Sequence, residues 1–357
     1  MHRLAVAATW RETDDALGVR FDVPDALARE FAFRAGQYVT LEADVAGERL
    51  RRSYSICAPE GGALSVAIKR IEGGKFSEFA HSTLAAGSRL DVAAPQGAFT
   101  FEPDETRARR YLMIAAGSGI TPVISLIETI LAREPASSVT LIYGNRRTAT
   151  MMFRERLSWI KNKHLARFHW INVMSREAQD CELLNGRINN RKGAALNRRL
   201  IAIRAFDEFY LCGPEAMISE VSRGLRGEGI ADDRIHYELF FASAEDARAV
   251  MEKHRERASR FRDRVFEVVV KCGGRAVSLD VAADGANILD AALDAGLDVP
   301  FSCKGGVCAT CKARLVEGEV EMDLNHALSP AELAAGYVLC CQSHPTTVRV
   351  VVDFDAR

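Results

Sequence analysis

The 357-residue sequence lacks a long hydrophobic run and an excess of charge of either sign. No uninterrupted apolar segment approaches the roughly 18–20 residues that a membrane-spanning helix requires. With 47 Lys and Arg against 48 Asp and Glu, the formal net charge is -1, so no global field favours nucleic acid or an anionic membrane. The opening stretch, MHRLAVAATWRETDD, turns polar too soon for a signal peptide. We therefore expect a cytoplasmic protein without a nucleic-acid or membrane partner.

Internal repeats and low-complexity tracts are absent too, and the chain is too long for one ordinary core, so we expect two or three domains. Residues 1–104 contain short runs rich in β-branched and aromatic residues, such as AGQYVTLEA, between Gly and Pro clusters. This spacing predicts an antiparallel barrel or sandwich. Residues 105–241 alternate strand-like runs such as RYLMIAA with helical patterns such as VISLIETILARE, which predicts a parallel sheet with crossover helices.

The last third of the chain has two parts. Residues 242–263 are highly charged with few large apolar residues, which predicts a solvated linker with some helical character. Residues 264–357 open with VFEVVVKCGGRAVSLDVA, in which two strand-like runs flank a Gly-Gly turn, and this pattern predicts a hairpin. A helical pattern, NILDAALDAG, and further strand-like runs come next, so we expect an α+β domain.

The nine cysteines are unevenly distributed, since five of them lie between residues 303 and 341. In a reducing compartment, a cysteine cluster with ligand spacing indicates metal binding rather than disulfides. Cys303, Cys308 and Cys311 form a C-x₄-C-x₂-C motif. A fourth cysteine lies about thirty residues later, at Cys340 or Cys341. This is the spacing of ligands to a plant-type [2Fe–2S] cluster.

The residues between these cysteines favour the cluster over two alternatives. Gly305 and Gly306 lack a Cβ, so the loop can wrap closely, point N–H groups at the sulfurs and adopt positive φ. A zinc site usually takes two C-x₂-C pairs or His partners, which C-x₄-C does not supply. A redox dithiol at Cys308 and Cys311 would need a strand before it and a helix after it, and the sequence has a long loop there instead.

The motif RSYS, formed by Arg52, Ser53, Tyr54 and Ser55, suits a flavin. Arginine offers a two-pronged donor to a pyrophosphate, tyrosine a flat face to the isoalloxazine ring, and serine a hydroxyl near flavin N5. In isolation the motif also fits an ordinary strand with a surface arginine, so its weight depends on the neighbouring motifs.

The segment AIKRIEGGKFSEF places Gly73 and Gly74 before a helical pattern. A glycine turn before a helix N-terminus suits a phosphate, although the same pattern fits a capped helix after a turn. A pyrophosphate here favours FAD over FMN. The residues that we expect to contact the flavin from this segment are Ala67, Ile68, Lys69, Gly74, Lys75, Phe76 and Ser77.

GSGITP lies between a strand pattern and a helical pattern. Gly117 and Gly119 would let a dinucleotide approach the backbone, with its pyrophosphate at the helix N-terminus. Pro122 suits the first helical turn. CGP ends another strand of the same sheet, where the ligands of parallel sheets gather. There Cys212 could abut a nicotinamide or be a small buried residue.

Ser175 and Arg176 close a further strand, with Asn145 and Arg146 of YGNR nearby. These four residues could hold a 2′-phosphate, which would select NADPH over NADH. The simpler alternative is a solvated arginine after a strand.

RSYS, GGKFS, GSGITP, YGNR, CGP and the four cysteines occur in the order typical of the ferredoxin–NADP reductase superfamily. The chain resembles the oxygenase reductases of that superfamily, which append a plant-type ferredoxin at the C-terminus. VMSREAQDCELLNGRI and GYVLCCQSHP resemble the reductase subunits of phenylacetyl-CoA epoxidases in particular. The resemblance implies a multidomain fold with an antiparallel β-barrel flavin domain, an α/β parallel-sheet nucleotide domain and an α+β, β-grasp ferredoxin domain.

The same resemblance implies three cofactors and a partner. The cofactors are FAD, NADPH and a [2Fe–2S] cluster, since a flavin can split the electron pair of a hydride for a one-electron centre. The partner is an oxygenase component that accepts the electrons, in particular a di-iron multicomponent monooxygenase. A ring-hydroxylating dioxygenase, another monooxygenase or a desaturase is the alternative acceptor. A non-catalytic electron carrier or redox sensor would instead bind no flavin and oxidise no NADPH.

The resemblance also implies roles for single residues. The catalytic residues would be Tyr54, Ser55, Thr121, Cys212 and Glu238. Further cofactor contacts would come from Gly213, Pro214 and an aromatic cover over the flavin, Phe240 or Phe241.

The family's ferredoxin pattern YVLxCQ makes Cys341, just before Gln342, the fourth cluster ligand. Neighbours on an extended segment point to opposite sides. Cys340 would therefore be a buried structural thiol.

Overall fold

The computed structural model describes residues 1–240, 244–261, 264–282 and 285–356, with the backbone alone at 244–249 and 251. These residues form two compact units, Met1–Glu238 and Leu239–Arg357. Each unit contains two of the four sheets. Within the described ranges, no helix is both long and apolar enough to cross a membrane.

The N-terminal half of the first unit is an antiparallel barrel. Its strands are β1 His2–Thr13, β2 Ala16–Asp22, β3 Tyr38–Val45, β4 Glu48–Ser55, β5 Ser65–Lys69 and β6 Arg89–Val92. They pair in the order β4-β3-β6-β1-β2-β5. Ile56, just past β4, bridges to Val66 of β5, so the two edge strands meet and the sheet closes. Val39 and Leu41 alternate into the core beside Phe76 of helix α1, Lys75–Thr83.

The other half of the first unit is a five-stranded parallel sheet with helices between its strands. The strands are β7 Arg110–Ala116, β8 Ser138–Asn145, β9 Phe168–Met174, β10 Glu208–Cys212 and β11 Ile235–Glu238. The helices are α2 Ile120–Arg133, α3 Arg154–Lys163, α4 Asn190–Arg199 and α5 Glu215–Gly227. The order β11-β10-β7-β8-β9 reverses direction at β7. Ligands of such sheets bind where the order reverses, at the carboxyl ends of the strands, here those of β7 and β10.

Helix α2 joins the barrel to the parallel sheet. Most of its side chains are buried. Ser125 Oγ donates to the carbonyl oxygen of Ala58 at 2.6 Å, and Thr129 Oγ1 accepts from the backbone N–H of Glu60 at 3.0 Å. The two halves thus share a polar as well as an apolar interface, which explains why they form one compact unit.

The second unit contains an α+β domain. Its strands are β12 Val265–Cys272, β13 Arg275–Ala282, β14 Lys312–Glu317, β15 Val320–Met322, β16 Tyr337–Leu339, β17 Ser343–Pro345 and β18 Arg349–Asp353. Its helices are α6 Ala244–Arg260, α7 Ile288–Asp294 and α8 Pro330–Ala334. The main sheet runs β13-β12-β18-β14-β16, and β15 pairs with β17. Gly273 and Gly274, both at positive φ, form the predicted tight turn between β12 and β13.

Helix α6 covers most of residues 242–263, the segment predicted to be a solvated linker with some helical character. Most of its described side chains between 252 and 260 are exposed, but Arg257 is only 1% exposed. Arg257 pairs with Asp323 at 2.8 Å, because a charged group that leaves water needs a partner of opposite charge. This end of the helix therefore packs on the α+β domain within the second unit.

Candidate active site and cysteine loop

The RSYS residues lie on β4, where alternation divides them between two faces. Arg52 is exposed, and its Nη1 donates to the carbonyl oxygen of Arg51 at 2.7 Å. Arg51 points the other way and forms a buried ion pair with Glu42. Sequence reasoning missed this pair, although two adjacent arginines on a strand must point to opposite sides. Ser53 Oγ lies 3.2 Å from Thr40 Oγ1.

Tyr54 offers an aromatic face at the end of β4. Its ring packs at a tilt on Phe76, with the ring centroids 5.8 Å apart. Burial raises the pKa of Tyr54 well above its usual range, so the phenol stays neutral. A neutral ring held by a neighbour is suited to lie against a flat heterocycle.

The glycine turn before α1 fits a phosphate. Ser77 Oγ accepts from the backbone N–H of Ile71 at 3.1 Å and donates to the carbonyl oxygen of Gly74 at 3.0 Å, which closes the turn. A Cβ at Gly74 would lie 2.7 Å from Ser77 Oγ, so the turn requires glycine. No side chain caps the N-terminus of α1 at Gly74, which leaves its first N–H groups for an anion.

Four other residues predicted to contact the flavin are either buried in the barrel or held in ion pairs. Ala67 and Ile68 are buried on β5, and Lys69 forms an ion pair with Asp15 at 3.3 Å. Lys75 is exposed and forms an ion pair with Glu48.

The GSGITP segment forms a short 3₁₀ turn between β7 and α2. Gly117 has φ of 55°, and a Cβ at Gly119 would lie 2.1 Å from the carbonyl oxygen of Cys212. Thr121 Oγ1 donates to the carbonyl oxygen of Ser118 at 2.9 Å, and Pro122 lies in the first turn of α2. The ends of β7 and β10 thus meet with no room for a side chain.

CGP continues the same edge. A Cβ at Gly213 would lie 2.8 Å from Met217 Cε, and Pro214 precedes the first residue of α5. Phe240 is half-buried just past β11. Phe241 lies outside the described residues.

Ser55, Cys212 and Glu238 come together from three strands. Glu238 of β11 is directly opposite Cys212 of β10, and Ser55 Oγ of β4 donates to Glu238 Oε2 at 3.1 Å. Burial raises the pKa of Glu238 to about 8, and the Ser55 hydrogen bond offsets this only in part. Burial, with the charge of Glu238, also raises the pKa of Cys212 well above its usual range. At neutral pH all three side chains therefore keep their protons and carry no charge.

The four residues predicted to read a 2′-phosphate also lie together. The backbone N–H of Ser175 donates to the carbonyl oxygen of Asn145 at 2.9 Å, and that of Arg176 donates to Arg146 at 2.9 Å. Both arginine side chains are exposed, at the carboxyl ends of β8 and β9. Two exposed guanidinium groups at a strand-end ligand site fit a phosphate.

The cysteine loop brings its sulfurs together in two pairs. The Cys303 and Cys308 thiols are hydrogen-bonded to each other, and so are those of Cys311 and Cys341. The hydrogen bond from the Cys308 thiol, together with hydrogen bonds from backbone N–H groups, holds the pKa of Cys303 below its usual range despite burial. Gly305 N–H points at Cys303 Sγ, 3.3 Å away.

This paired arrangement fits two irons better than one metal ion. The two cysteine pairs match a [2Fe–2S] cluster, in which each iron takes two protein ligands. Positive φ occurs at Gly306, as expected, but not at Gly305, where the expectation was wrong; the neighbouring Lys304 and Ala309 adopt it instead.

The two adjacent cysteines differ in their surroundings. Both lie in a turn after β16, not on an extended segment as expected, and both are buried in the apolar core of the domain. The Cys341 thiol is hydrogen-bonded to Cys311, and Gln342 Nε2 donates toward Cys341 Sγ at 3.6 Å and to the carbonyl oxygen of Lys304 at 3.0 Å. The role of Gln342 as a donor was not predicted, because only the fold brings residues 304 and 342 together. These contacts favour Cys341 as the fourth ligand.

Comparison with known proteins assigns the class. Residues 4–101 match the oxidoreductase FAD-binding domain, residues 113–223 the oxidoreductase NAD-binding domain and residues 270–346 the 2Fe-2S iron-sulfur cluster binding domain. The chain belongs to the ferredoxin–NADP reductase superfamily, as an oxygenase reductase with a C-terminal [2Fe–2S] ferredoxin domain. It is 45% identical over 357 residues to a subunit of the 1,2-phenylacetyl-CoA epoxidase of Escherichia coli strain K12, with 100% of this chain and 98% of that protein covered.

Two further comparisons agree with this class. The ferredoxin reductase component of 3-ketosteroid-9-alpha-monooxygenase from Rhodococcus rhodochrous is 31% identical over 372 residues, covering 98% of this chain and 96% of that protein. The solved phthalate dioxygenase reductase has the same fold, with a TM-score of 0.56, 22% identity and coverage of 99% and 98%. The predicted family, fold class, enzyme class and cofactors FAD, NAD(P)H and [2Fe–2S] are thus confirmed.

Proposed function

We propose that this protein is an NADPH-dependent reductase that serves the di-iron 1,2-phenylacetyl-CoA epoxidase of phenylacetate degradation. Two electrons would leave NADPH together as hydride to FAD and would then pass one at a time through the [2Fe–2S] cluster to the oxygenase component. The single observation that carries the choice of acceptor is the 45% identity, over the whole chain, to a subunit of the Escherichia coli epoxidase. The nine free cysteines suit the reducing cytoplasm, where we place the protein.

The residues around Ser55 would prepare the site for hydride transfer. FAD, when bound, accepts two electrons as hydride and passes them on singly. Tyr54 would hold one face of the ring, and the Ser55 hydroxyl would orient it by hydrogen bonding. Glu238 keeps its proton at neutral pH, so Ser55 and Glu238 form an uncharged pair that adds no buried charge. Cys212, neutral and fully buried, would close the nicotinamide side against water.

The second nucleotide would lie across the carboxyl ends of the parallel strands. Gly117, where an added Cβ would meet nothing within 4 Å, leaves the backbone open to a pyrophosphate, with the N-terminus of α2 facing it. Gly119 and Gly213 instead let the two turns pack closely beside it. Thr121 and Pro214 fix the ends of the two turns between strand and helix.

The preference for NADPH rests on Arg146 and Arg176. Their exposed side chains, held in place by paired backbones, would form charge-assisted bonds to a 2′-phosphate. The test compares kcat/KM for NADPH and NADH in the wild type and in an R146A/R176A variant. We expect the NADPH value to fall at least about tenfold with the NADH value almost unchanged, since a charge-assisted bond contributes about 1.5–3 kcal/mol. A wild type that prefers NADH would refute this assignment.

The acceptor is tested by reconstitution. The purified reductase is mixed with the oxygenase component of a phenylacetyl-CoA epoxidase, and epoxide formation is measured against NADPH consumed. A matched mixture with a ring-hydroxylating dioxygenase or a 3-ketosteroid monooxygenase component is the control. Product near one epoxide per NADPH with the first component alone supports the proposal. Equal or better coupling to a control component would favour that acceptor instead. Protein without bound flavin and without NADPH oxidation would support a non-catalytic carrier.

A further inference from the structure

Arg257 on helix α6 is a buried charge outside the residues that match the ferredoxin domain, 270–346. Its side chain is 1% exposed. Its Nη1 lies 2.8 Å from Asp323 Oδ1 and 3.8 Å from Glu321 Oε1. Removing a guanidinium from water costs several kcal/mol unless it is paired, so this burial depends on the carboxylates.

The same face of α6 carries two more contacts to the end of β15. Lys253 Nζ donates to the carbonyl oxygens of Met322 and Asp323, at 2.9 and 2.8 Å. Arg260 pairs with Glu321 at 2.6 Å. Residues 253, 257 and 260 lie on one side of a helix because they are four and three positions apart. This face of the helix is therefore matched to a single short segment of the ferredoxin domain.

Asp323 links that segment to the cluster ligands. Its second oxygen lies 3.1 Å from His344 Nε2, and its backbone N–H donates to the carbonyl oxygen of Gln342 at 2.8 Å. Gln342 in turn donates toward Cys341 Sγ and to the carbonyl oxygen of Lys304 in the cysteine loop. A continuous set of contacts thus runs from α6 to both segments that hold the cluster.

The charge of Asp323 is fixed by its surroundings. Burial acts to raise its pKa, but hydrogen bonds from His344 and Arg257 together hold the pKa below its usual range. Because its pKa is low, Asp323 is an ionised carboxylate although it is only 6% exposed. It lies close to the ligand segment, and Arg257 is the cation that balances its charge.

We propose that Arg257 is a positioning residue for the [2Fe–2S] cluster. Through Asp323 it balances a buried negative charge beside the ligand segment and fixes Gln342 against the Cys341 sulfur. Cluster potentials depend on net charge and on hydrogen bonds to the sulfurs, so both links act on the potential. The proposal rests on the cluster assigned above and extends it to a residue that precedes the ferredoxin domain.

The test is the midpoint potential of the cluster in the full-length protein, by dithionite titration followed by electron paramagnetic resonance. We expect R257M to lower the potential, because an unbalanced Asp323 disfavours an added electron. D323N should raise it, because Arg257 is then unbalanced. The R257M/D323N double variant should return toward the wild type. Lost packing alone would not give shifts of opposite sign.

The control is R260M, which removes the same charge from an exposed position of the same helix. It should leave the potential and the spectrum unchanged. R257K keeps the positive charge and should restore a potential close to that of the wild type. If R257M does not hold a cluster, the potentials of R257K and D323N decide the test. Unchanged potentials in D323N, shifts of the same sign in R257M and D323N, or an equal shift in R260M would overturn the proposal. A wild type without iron and labile sulfide would instead overturn the cluster assignment itself.

Discussion

At the scale of residues, the surroundings of a side chain determine its charge. Glu238 and Glu42 are both carboxylates in the first unit, but Glu42 faces two arginines and Glu238 faces a serine and a thiol. Burial without a cation raises the pKa of Glu238 to about 8, so it is a neutral donor where Glu42 is a charged anchor.

The raised pKa of Glu238 predicts a pH-dependent stability. The folded protein keeps this proton up to about pH 8, whereas the unfolded chain releases it near the ordinary value of 4.5. The Glu238 contribution to the free energy of unfolding should therefore fall as pH rises through this window, by at most about 1.4 kcal/mol per pH unit. E238Q should remove that part of the slope in urea unfolding between pH 5 and 9. E155Q, at an exposed position of α3, should keep it, and an unchanged slope in E238Q would contradict the assignment.

The two adjacent cysteines give a second prediction at this scale. C341S should lose most of the visible absorption and iron of the cluster, because a buried ligand paired with Cys311 is removed. C340S should keep both, with a modest loss of stability from an altered core position. Iron analysis and absorption spectra of the two purified variants decide this. Loss of the cluster in C340S with retention in C341S would reverse the ligand choice.

At the scale of elements, the turns at the ends of β7 and β10 are packed against each other. The backbone of Gly119 touches the carbonyl of Cys212 so closely that the smallest side chain has no room. This edge of the parallel sheet therefore depends on backbone contact between two turns far apart in sequence.

G119A should destabilise the first unit by about 1–3 kcal/mol, because its Cβ would lie 2.1 Å from a carbonyl oxygen that belongs to a buried strand. G193A is the matched control. Gly193 lies inside α4 with nothing within 4 Å of an added Cβ, so alanine there should stabilise by up to about 1 kcal/mol. Urea unfolding of the two variants provides the comparison. Equal stability of G119A and wild type would show that the turn relaxes.

Features that depend on residues close together in the sequence were predicted correctly from the sequence alone. The cysteine loop, the glycine turns and the strand–helix alternation are local patterns, and their positions agree with the structure. The contacts of Glu238 with Ser55 and of Arg257 with Asp323 join residues 183 and 66 positions apart. Pairs at that separation depend on the fold, so the sequence pattern could not indicate that Arg257 is buried within a mostly exposed helix.

At the scale of the whole molecule, the division into two compact units separates two chemical tasks. The first unit contains both nucleotide-binding domains, and the second contains the cysteine loop. Each unit has its own apolar core. Each unit therefore has the means to fold separately.

A fragment of residues 1–243 should bind FAD and reduce ferricyanide with NAD(P)H at close to the full-length rate, since hydride acceptance needs the first unit alone. Its reduction of cytochrome c should fall by at least about tenfold, because a one-electron centre is missing. Full-length protein measured in parallel is the reference. Cytochrome c reduction at an unchanged rate would show that the flavin supplies single electrons to that acceptor directly.

The shared helix α2 also limits how this gene can be recombined. A chimera that exchanged residues 1–104 alone would set a foreign barrel against Ser125 and Thr129, and both hydrogen bonds would be lost unless the backbone at Ala58 and Glu60 kept its position. A crossover after Glu238 leaves that interface intact. Exchange of ferredoxins between reductases, in evolution or by design, should therefore succeed at the later junction and fail at the earlier one.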